Sequence, residues 1–501
     1  MKKYLFTIII TLTLFSAVSI SCSDEFVDPK PAYSIDSENY FNSKADYEQA
    51  LIAAYDLLQS SYANVLLGEI ASDNTLCGGE SPIDVIGWQQ IDDMIHTETN
   101  SNLRDIWNWM FAGVQRANYI LEFQNKTDFE GKTQLLAETH FLRAYYQFEL
   151  VKWFGGIPMK GDARFKIGDE KTIPRSSVPE VYAAIEADLI FAIANLSPTA
   201  SQKGRVTKGA AQALLGKAYL YQNKFALAAT TLESLISTSP YSLETDYNKL
   251  FEMEGENGPE SVFEVQYTDV EGAAFTCLQC SEGNVAVGFS GVRGYDGPLF
   301  TSGFSFNVPT QESADAFEVG DRRKDVAILD IAAWAAANTA YNDGKGIKYG
   351  KGNEDTGFFN RKYLPRKRSG NAAGDLNLTN PNNYRAIRYA DVLLMAAEAY
   401  NRGGIDDGKA RGYLNEVRRR AFGDTNHDIS ASGAALTDFI LAERRLEFFG
   451  EGHRFFDLVR TGKAVGTIPG FEKDKNELFP IPIEEIQFAN GNWKQNPGYT
   501  K

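Results

Sequence analysis

Residues 209–240 carry the pattern that most limits how this chain can fold. Gly216 and Ala228 are small residues at positions where two antiparallel helices must approach closely, and Tyr219 and Leu232 are bulky residues that fill the space beside them. A helix pair of this kind buries its apolar face against neighbouring pairs, so it occurs in stacked arrays. The pattern therefore predicts a helical repeat.

The spacing follows the tetratricopeptide template, which is about 34 residues long. With Leu215-Gly216 as its Leu-Gly pair, the next template positions fall on Tyr219, Ala228, Leu232 and Pro240. Gln212 replaces the first template aromatic residue, and Leu232 replaces a phenylalanine. A looser copy spans Tyr389–Ala421, where apolar residues recur every three or four positions.

Further helices are predicted where the apolar period continues. They lie at Lys44–Ser61, Leu103–Gln124, Gln134–Phe154 and Val178–Asn195. Between Ser242 and Pro381, by contrast, glycines recur among aromatic residues and break the helical period. With 43% hydrophobic residues in 501 positions, the chain can bury a large core. The predicted fold class is mainly α: a tetratricopeptide-like helical repeat bundle with an irregular, loop-rich half that contains short strands.

The N-terminus has the composition of an export signal. Two lysines precede an uncharged, mostly apolar run from Tyr4 to Ile20, and Cys22 follows a small residue. We interpret residues 1–21 as a lipoprotein signal peptide and Cys22 as the lipidated first residue. Ser19 stands where a lipobox usually has leucine, so an ordinary signal peptide with an incidental cysteine is the alternative.

The net charge and the lengths of the apolar runs limit the functional classes to which this chain can belong. The chain has 50 Lys and Arg against 66 Asp and Glu, a formal charge of −16, which disfavours nucleic-acid binding. No later run reaches the roughly 18 apolar residues of a membrane-spanning helix. We expect an acidic lipidated tether at 22–36, an N-terminal helical region at 37–241, an irregular region with the ligand site at 242–384, and a C-terminal helical and loop region at 385–501.

Several longer motifs are spread along nearly the whole chain. They include AETHFLRAYYQFELVKWFGGIP at 137–158, IRYADVLLMAAEAYN at 387–401 and ERRLEFFGEGHRFFDLVR at 443–460, with shorter ones at 22–28, 204–211, 480–482 and 495–499. In this order they resemble the SusD/RagB family of Bacteroidota outer-membrane lipoproteins. Ser23-Asp24-Glu25 is similar to the acidic signal that sends such lipoproteins to the cell surface.

The resemblance implies both an architecture and a function. A bundle of tetratricopeptide-like helix pairs would face a SusC-like TonB-dependent transporter, and the irregular half would carry the ligand site. The protein would be non-catalytic, anchored by lipid in the outer membrane and facing the exterior, where it captures oligosaccharides. A minority of the family takes peptides or glycopeptides instead.

Candidate ligand contacts follow from the chemistry of sugars. Sugar binding needs flat apolar faces for pyranose rings and planar polar groups for paired hydrogen bonds to neighbouring hydroxyls. Two stretches outside the helices offer this mixture, Asp73–Asp93 and Phe275–Tyr341, at the places where the family carries its ligand contacts. The candidates are Asp73, Asn74, Trp88, Phe289, Arg293, Tyr295, Trp334 and Tyr341. For the aromatic candidates the alternative is a hydrophobic plug between loops.

Catalytic and metal sites are not expected, and no cofactor is predicted. In the run 443–460, acids and arginines alternate at helical spacing, which is typical of a structural ion-pair lattice, and His453 shares an apolar face there. Cys277 and Cys280 form a lone Cys-x-x-Cys without the further ligands that zinc needs, which leaves a local disulfide or free thiols. A structural calcium at acidic loops such as 354–355 or 424–428 stays open. Trp107, Trp109 and Trp153 lie in predicted helices and are expected in the core.

The leading functional hypothesis is a surface lipoprotein that binds a glycan without cleaving it and passes it to a SusC-like transporter. One alternative is a peptide- or glycopeptide-binding lid of a similar transporter. A less favoured alternative is an exported glycosidase, which would need two loop carboxylates about 5–10 Å apart. The acidic net charge disfavours heavily anionic ligands, and the sequence does not identify the glycan.

Overall fold

The computed structural model describes residues 40–500, except Ser239, Ala273 and residues 369–372. The predicted signal peptide 1–21, the lipidation site Cys22 and the tether 22–36 lie outside these residues. No helix in the described part of the chain is both long and apolar enough to cross a membrane.

Helices dominate both ends of the described chain, and short elements fill the middle. The helices are α1 Lys44–Asp56, α2 Tyr62–Ile70, α3 Ile86–Asp92, α4 Ser101–Glu122, α5 Lys132–Phe154, α6 Val178–Asn195, α7 Lys208–Tyr221, α8 Phe225–Thr238, α9 Val285–Ser290, α10 Gln311–Asp315, α11 Lys324–Ala327, α12 Ile331–Ala337, α13 Tyr341–Gly344, α14 Tyr389–Arg402, α15 Asp407–Phe422, α16 Gly433–Glu447, α17 Arg454–Arg460 and α18 Ile483–Phe488. Short 3-10 helices lie at Leu57–Ser61, Asp169–Lys171, Lys249–Phe251, Met253–Gly255, Leu278–Cys280 and Arg361–Tyr363.

The strands form small antiparallel pairs. They are β1 Thr75–Leu76, β2 Ser261–Val265, β3 Val308–Pro309, β4 Ile328–Asp330, β5 Phe358–Asn360 and β6 Tyr384–Arg388. β1 pairs with β3 (Thr75 opposite Pro309), β2 with β6 (Val265 opposite Tyr384) and β4 with β5 (Ile328 opposite Asn360). Each pair therefore ties one segment of the irregular half to another part of the chain.

The helices stack largely in chain order. α4 packs on α5, α5 on α6, α6 on α7 and α7 on α8, and α14 packs on α8, α15 and α16. A Cβ atom on Gly216 of α7 would lie 2.5 Å from the side chain of Leu232 on α8, so glycine is what lets these helices approach. This confirms the hairpin predicted at 209–240 and the mainly α, repeat-like fold class.

Local sequence sets the helix ends. Ser43 and Asp46 form a capping box at the start of α1, and Ser177 and Glu180 form one at the start of α6. The predicted helix Val178–Asn195 has the observed bounds of α6. The predicted helix Lys44–Ser61 divides into α1 and a 3-10 helix.

The charged run 443–460 forms two helices, and the prediction that it lies on one helix is wrong. α16 ends at Glu447 and α17 begins at Arg454, because Gly450 and Gly452 between them have φ values of +78° and +81°, outside the right-handed helical region. The predicted ion-pair lattice is present, but most of its partners come from distant segments. Glu447, for example, pairs with Arg323, Arg388 and Arg420.

Other core predictions are confirmed. Trp107 and Trp153 are buried and Trp109 is half-buried against the main core. The ring of His453 lies 4.8 Å from that of Phe448, and burial lowers the pKa of His453 to about 3, so it packs as a neutral ring.

A second, smaller core stabilises the irregular half. It comprises Val292, Tyr295, Phe300, Leu329, Ile331, Phe359 and Leu364, with Trp334 and Ile347 packed against it. Most of these residues come from the loop after α9, from the β4–β5 pair and from α12, and Ile347 and Leu364 lie in the loops around β5. This core is the base on which several predicted ligand residues stand.

Candidate functional site

Trp88 and Phe289 pack inside the protein. Trp88 is 4% exposed, and its ring meets those of Phe289 and Phe306 edge-on at 4.6 and 5.0 Å. Phe289 is also buried. The prediction that these rings offer faces to a ligand is therefore wrong, and the hydrophobic-plug alternative describes them, because aromatic neighbours from two segments cover both.

Asp73 and Asn74 hold protein segments together. The carboxylate of Asp73 accepts hydrogen bonds from Arg454 at 2.7 and 2.9 Å. The amide of Asn74, fully buried, donates to Glu69 and accepts from Arg445, both at 2.9 Å. The burial of Asn74 contradicts its predicted ligand contact. Asp73 borders a cavity, and its predicted ligand contact stays a prediction.

The structure brings Tyr295, Trp334 and Tyr341 together, and ligand contact by Trp334 and Tyr341 stays a prediction. Asp330 ends β4 and caps α12 by accepting from the backbone N–H groups of Ala332 and Ala333, which projects Trp334 from the first turns of the helix. The indole Nε1 of Trp334 donates to the hydroxyl of Tyr295 at 2.8 Å. Tyr295 itself is buried, and Trp334 remains half-buried.

Tyr341 borders the same group from the other side. Its hydroxyl donates to the carboxylate of Asp296 at 3.0 Å, one residue after Tyr295. The ammonium group of Lys367 donates to the Tyr341 hydroxyl at 3.1 Å and lies 5.2 Å from the ring centre. These contacts hold the Tyr341 ring in one orientation while leaving it half-exposed.

Arg293 joins this group to a second set of aromatic rings. Its Nη2 donates to the backbone oxygen of Phe304 at 3.1 Å, and its side chain is 25% exposed. Two carboxylates face the guanidinium, those of Glu80 and Asp84, each at 3.8 Å. Backbone pairing of Arg293 with Gly303, and a 2.7 Å bond from the Gly350 N–H to the Arg293 oxygen, fix the segment.

Phe275 and Phe304 form the aromatic edge beyond Arg293. Their ring centres are 5.8 Å apart at an interplanar angle of 69°. Phe304 is half-buried, whereas 57% of Phe275 is exposed. We call the side chains of Phe275, Phe304, Arg293, Trp334 and Tyr341 the aromatic surface.

Sequence reasoning did not select Phe275, Glu80 or Asp84. Glu80 and Asp84 lie within the stretch Asp73–Asp93, but nothing in that stretch separates the carboxylates that face Arg293 from those that face the core. Phe275 stands at the boundary of the other stretch, beside Cys277 and Cys280. This cysteine pair is the sequence feature that could have drawn attention to Phe275, because the structure joins the two cysteines in a disulfide that begins two residues after it.

The chemistry available at the aromatic surface is that of binding. Burial raises the pKa of Tyr295, so its hydroxyl stays protonated and donates to the Pro298 oxygen at 2.8 Å. Among the residues that the structure describes, no group of three or more His, Cys, Asp or Glu side chains is arranged to hold a metal ion. Cys77 is a buried free thiol.

The helical side carries a separate apolar groove of about 530 Å³. Its walls include Trp107 and Phe111 of α4, Phe165, Phe488 of α18 and Trp493. Phe488 is 62% exposed, and Ile167 in the same groove is fully exposed. An apolar surface of this kind marks a contact with a partner or ligand.

Family models match both halves of the chain. A model of the SusD family matches residues 259–499, and one described as "Starch-binding associating with outer membrane" matches residues 25–220. A SusD-like protein of Formosa agariphila is 28% identical over 544 residues that cover 100% of both chains. A SusD-like protein of Bacteroides ovatus is 25% identical over 92% of this chain and 82% of its own.

Solved structures of glycan-binding proteins superpose closely. A laminarin-binding SusD-like protein is 32% identical, with a TM-score of 0.83, over 92% of this chain and 100% of its own. The surface glycan-binding protein A from Bacteroides thetaiotaomicron, in complex with laminarihexaose, is 27% identical, with a TM-score of 0.78, over 90% of this chain and 99% of its own.

Proposed function

This chain belongs to the SusD/RagB family, and from that premise we propose that it is a cell-surface lipoprotein that binds a glycan without cleaving it and passes it to a SusC-like TonB-dependent transporter. One observation carries the proposal. Trp334 and Tyr341 are held by hydrogen bonds to Tyr295 and Asp296, which follow Arg293 closely in the same irregular segment.

This combination suits a carbohydrate. A ring that is fixed before the ligand arrives loses little conformational entropy when a pyranose stacks on it. A planar guanidinium can donate two parallel hydrogen bonds to adjacent hydroxyls. Arg293 bonds to the backbone of Phe304 and stands two residues before Tyr295, and we propose that an extended oligosaccharide stacks on rings of both sets while it bonds to the guanidinium.

Laminarin is the first ligand to test. A relative in the solved structures is named as laminarin-binding, and another is bound to laminarihexaose. The formal charge of −16 also favours a neutral polymer over an anionic one. We therefore propose a neutral glucan as the ligand class.

At the aromatic surface, the carboxylates that a glycosidase would have to use are those of Glu80 and Asp84, which face Arg293. Asp84 accepts the backbone N–H of Glu80 at 2.8 Å, which makes it part of a local turn. The Glu80 side chain is 79% exposed, whereas a general acid is normally held in apolar surroundings that raise its pKa. These features favour binding without turnover.

The apolar groove supports a partner surface on the helical side. Phe488 and Ile167 are large apolar side chains that a partner could cover. We propose that this side faces the transporter, which leaves the aromatic surface free for the ligand.

The test is an affinity-gel screen of the protein starting at Ser23, with laminarin, other plant, algal, fungal and host glycans, and casein peptides as control. We expect retardation by laminarin, and no shorter sugars after overnight incubation. Retardation by no glycan, with binding of the peptides, would replace the proposal with peptide uptake. Release of shorter sugars would identify an enzyme instead.

A further inference from the structure

The Cys277–Cys280 disulfide closes a tight turn two residues after Phe275. The Cys277 N–H donates to the Ala274 oxygen at 3.1 Å, so Phe275 stands in a backbone turn that ends at the first cysteine. The next turn is the 3-10 helix Leu278–Cys280, whose Cys280 N–H reaches the Cys277 oxygen at 3.3 Å. The disulfide adds a covalent link across this second turn.

The far side of the loop is anchored in the protein. Leu278 packs against the main core and borders the same crevice as Trp88. The Thr268 N–H donates to the Glu282 oxygen at 2.8 Å and ties the two ends of the loop together. The turn that carries Phe275 therefore projects from a fixed base.

The position of Phe275 has no explanation in packing alone. Its ring meets two other aromatic rings edge-on, with centres 5.8 Å from Phe304 and 6.5 Å from Phe289. More than half of the side chain is in contact with water, although burying apolar area is favourable. Since Arg293 donates to the backbone of Phe304, Phe275 stands one ring away from the central polar group of the aromatic surface.

We infer that Phe275 is a sugar-stacking residue at the edge of the aromatic surface, and that the Cys277–Cys280 disulfide is the positioning element that keeps it there. The inference rests on the proposed function. A loop with fewer accessible conformations loses less entropy when its side chain binds, so the disulfide contributes to affinity without touching the ligand.

Isothermal titration with laminarihexaose tests both parts. Phe275→Ala should weaken binding about tenfold, the loss of one aromatic stacking contact. Phe275→Trp should stay close to wild type because it keeps a flat ring, and Phe275→Leu should behave like alanine because it keeps only apolar volume. The double variant Cys277→Ser/Cys280→Ser should bind about threefold more weakly while keeping the wild-type circular dichroism spectrum.

Phe439→Ala on α16 is the matched control, because it removes another exposed phenylalanine that belongs neither to the aromatic surface nor to the apolar groove. It should leave the affinity unchanged. Wild-type affinity in both Phe275→Ala and Phe275→Leu would overturn the stacking role, and wild-type affinity in the cysteine variant would overturn the positioning role. A wild-type protein that binds no glycan in the gel screen would overturn the proposed function itself, which is apparent before any variant is made.

Discussion

The indole nitrogen of Trp334 donates a 2.8 Å hydrogen bond to the phenol oxygen of Tyr295, 39 residues earlier in the chain. The same hydroxyl donates to the Pro298 oxygen at 2.8 Å, so Tyr295 is held from both sides. Tyr295 is buried, and it contributes to the aromatic surface by orienting the more exposed ring of Trp334.

Removing either partner of this hydrogen bond should weaken glycan binding to different extents. Trp334→Ala deletes a stacking face, and we expect about a tenfold loss of affinity for laminarihexaose. Tyr295→Phe keeps the ring and removes only the hydroxyl, which accepts from Trp334 and donates to Pro298, so about a threefold loss is expected. Titration calorimetry measures both, with the exposed Phe439→Ala on α16 as control. Equal affinity of Trp334→Ala and wild type would exclude Trp334 from the site.

Arg293→Lys should lower the affinity although it keeps the positive charge. Lysine cannot donate two parallel hydrogen bonds to neighbouring hydroxyls, so a loss of about five- to tenfold is expected. Mobility in laminarin gels gives the affinity, and the exposed Arg322→Lys in the same half is the control. If charge alone mattered, Arg293→Lys would migrate like wild type.

Glu447→Gln should strongly destabilise the fold. The carboxylate accepts from Arg388 at 2.8 Å and from Arg420 at 2.6 Å, and these cations hold the pKa of Glu447 well below its usual range. Removing one partner from a buried charge network costs about 3–5 kcal/mol. Urea unfolding followed by circular dichroism measures the loss. Glu416→Gln, an exposed change on α15, should stay within about 0.5 kcal/mol of wild type, and an equally small effect for Glu447→Gln would contradict a structural role.

Asp92→Asn should stabilise the protein in a pH-dependent way. Burial raises the pKa of Asp92 from 3.8 to about 7, although its Oδ2 accepts the Cys77 N–H at 2.8 Å. The folded state therefore binds more protons than the unfolded state between these values, and stability declines as the pH rises through that window. An asparagine still accepts the Cys77 bond but carries no charge.

Urea unfolding of wild type and Asp92→Asn at two pH values tests this prediction. We expect a gain of about 1–3 kcal/mol near pH 8 and about none near pH 4, where the folded carboxyl is already protonated. Asp438→Asn, an exposed control on α16, should show no such difference. A loss of stability at both pH values would mean that the charge of Asp92 is needed in the fold.

The helices could be predicted from the sequence because the residues that specify a helix lie close together in the chain. The pair α7 and α8 follows from Gly216, Ala228 and Leu232, which lie within one turn or one hairpin of their partners. The capping residues Ser43 and Ser177 act over three positions. The exception is the run 443–460, where the charge spacing suggested one helix and two glycines with positive φ divide it.

Ligand residues were predicted less well than helices. In a helix or strand, periodic apolar residues indicate which face is buried, but an irregular segment has no such periodic pattern. Tyr295, Trp334 and Tyr341, predicted from one stretch, lie together in the structure, and their ligand contact stays a prediction. Trp88 and Phe289, from two stretches, cover each other. Asp73 is engaged by Arg454, which follows 381 positions later.

The sequence by itself determined the helical repeat, the family and the two stretches from which a ligand site could be built, since repeat spacing, capping and motif order are properties of neighbouring residues. The tertiary structure alone decided which aromatic rings face water. Trp88 is enclosed by Phe289 and Phe306, and Phe275 stays exposed beside a disulfide. The physical reason is that exposure depends on contacts between segments hundreds of residues apart, and no local pattern encodes those contacts.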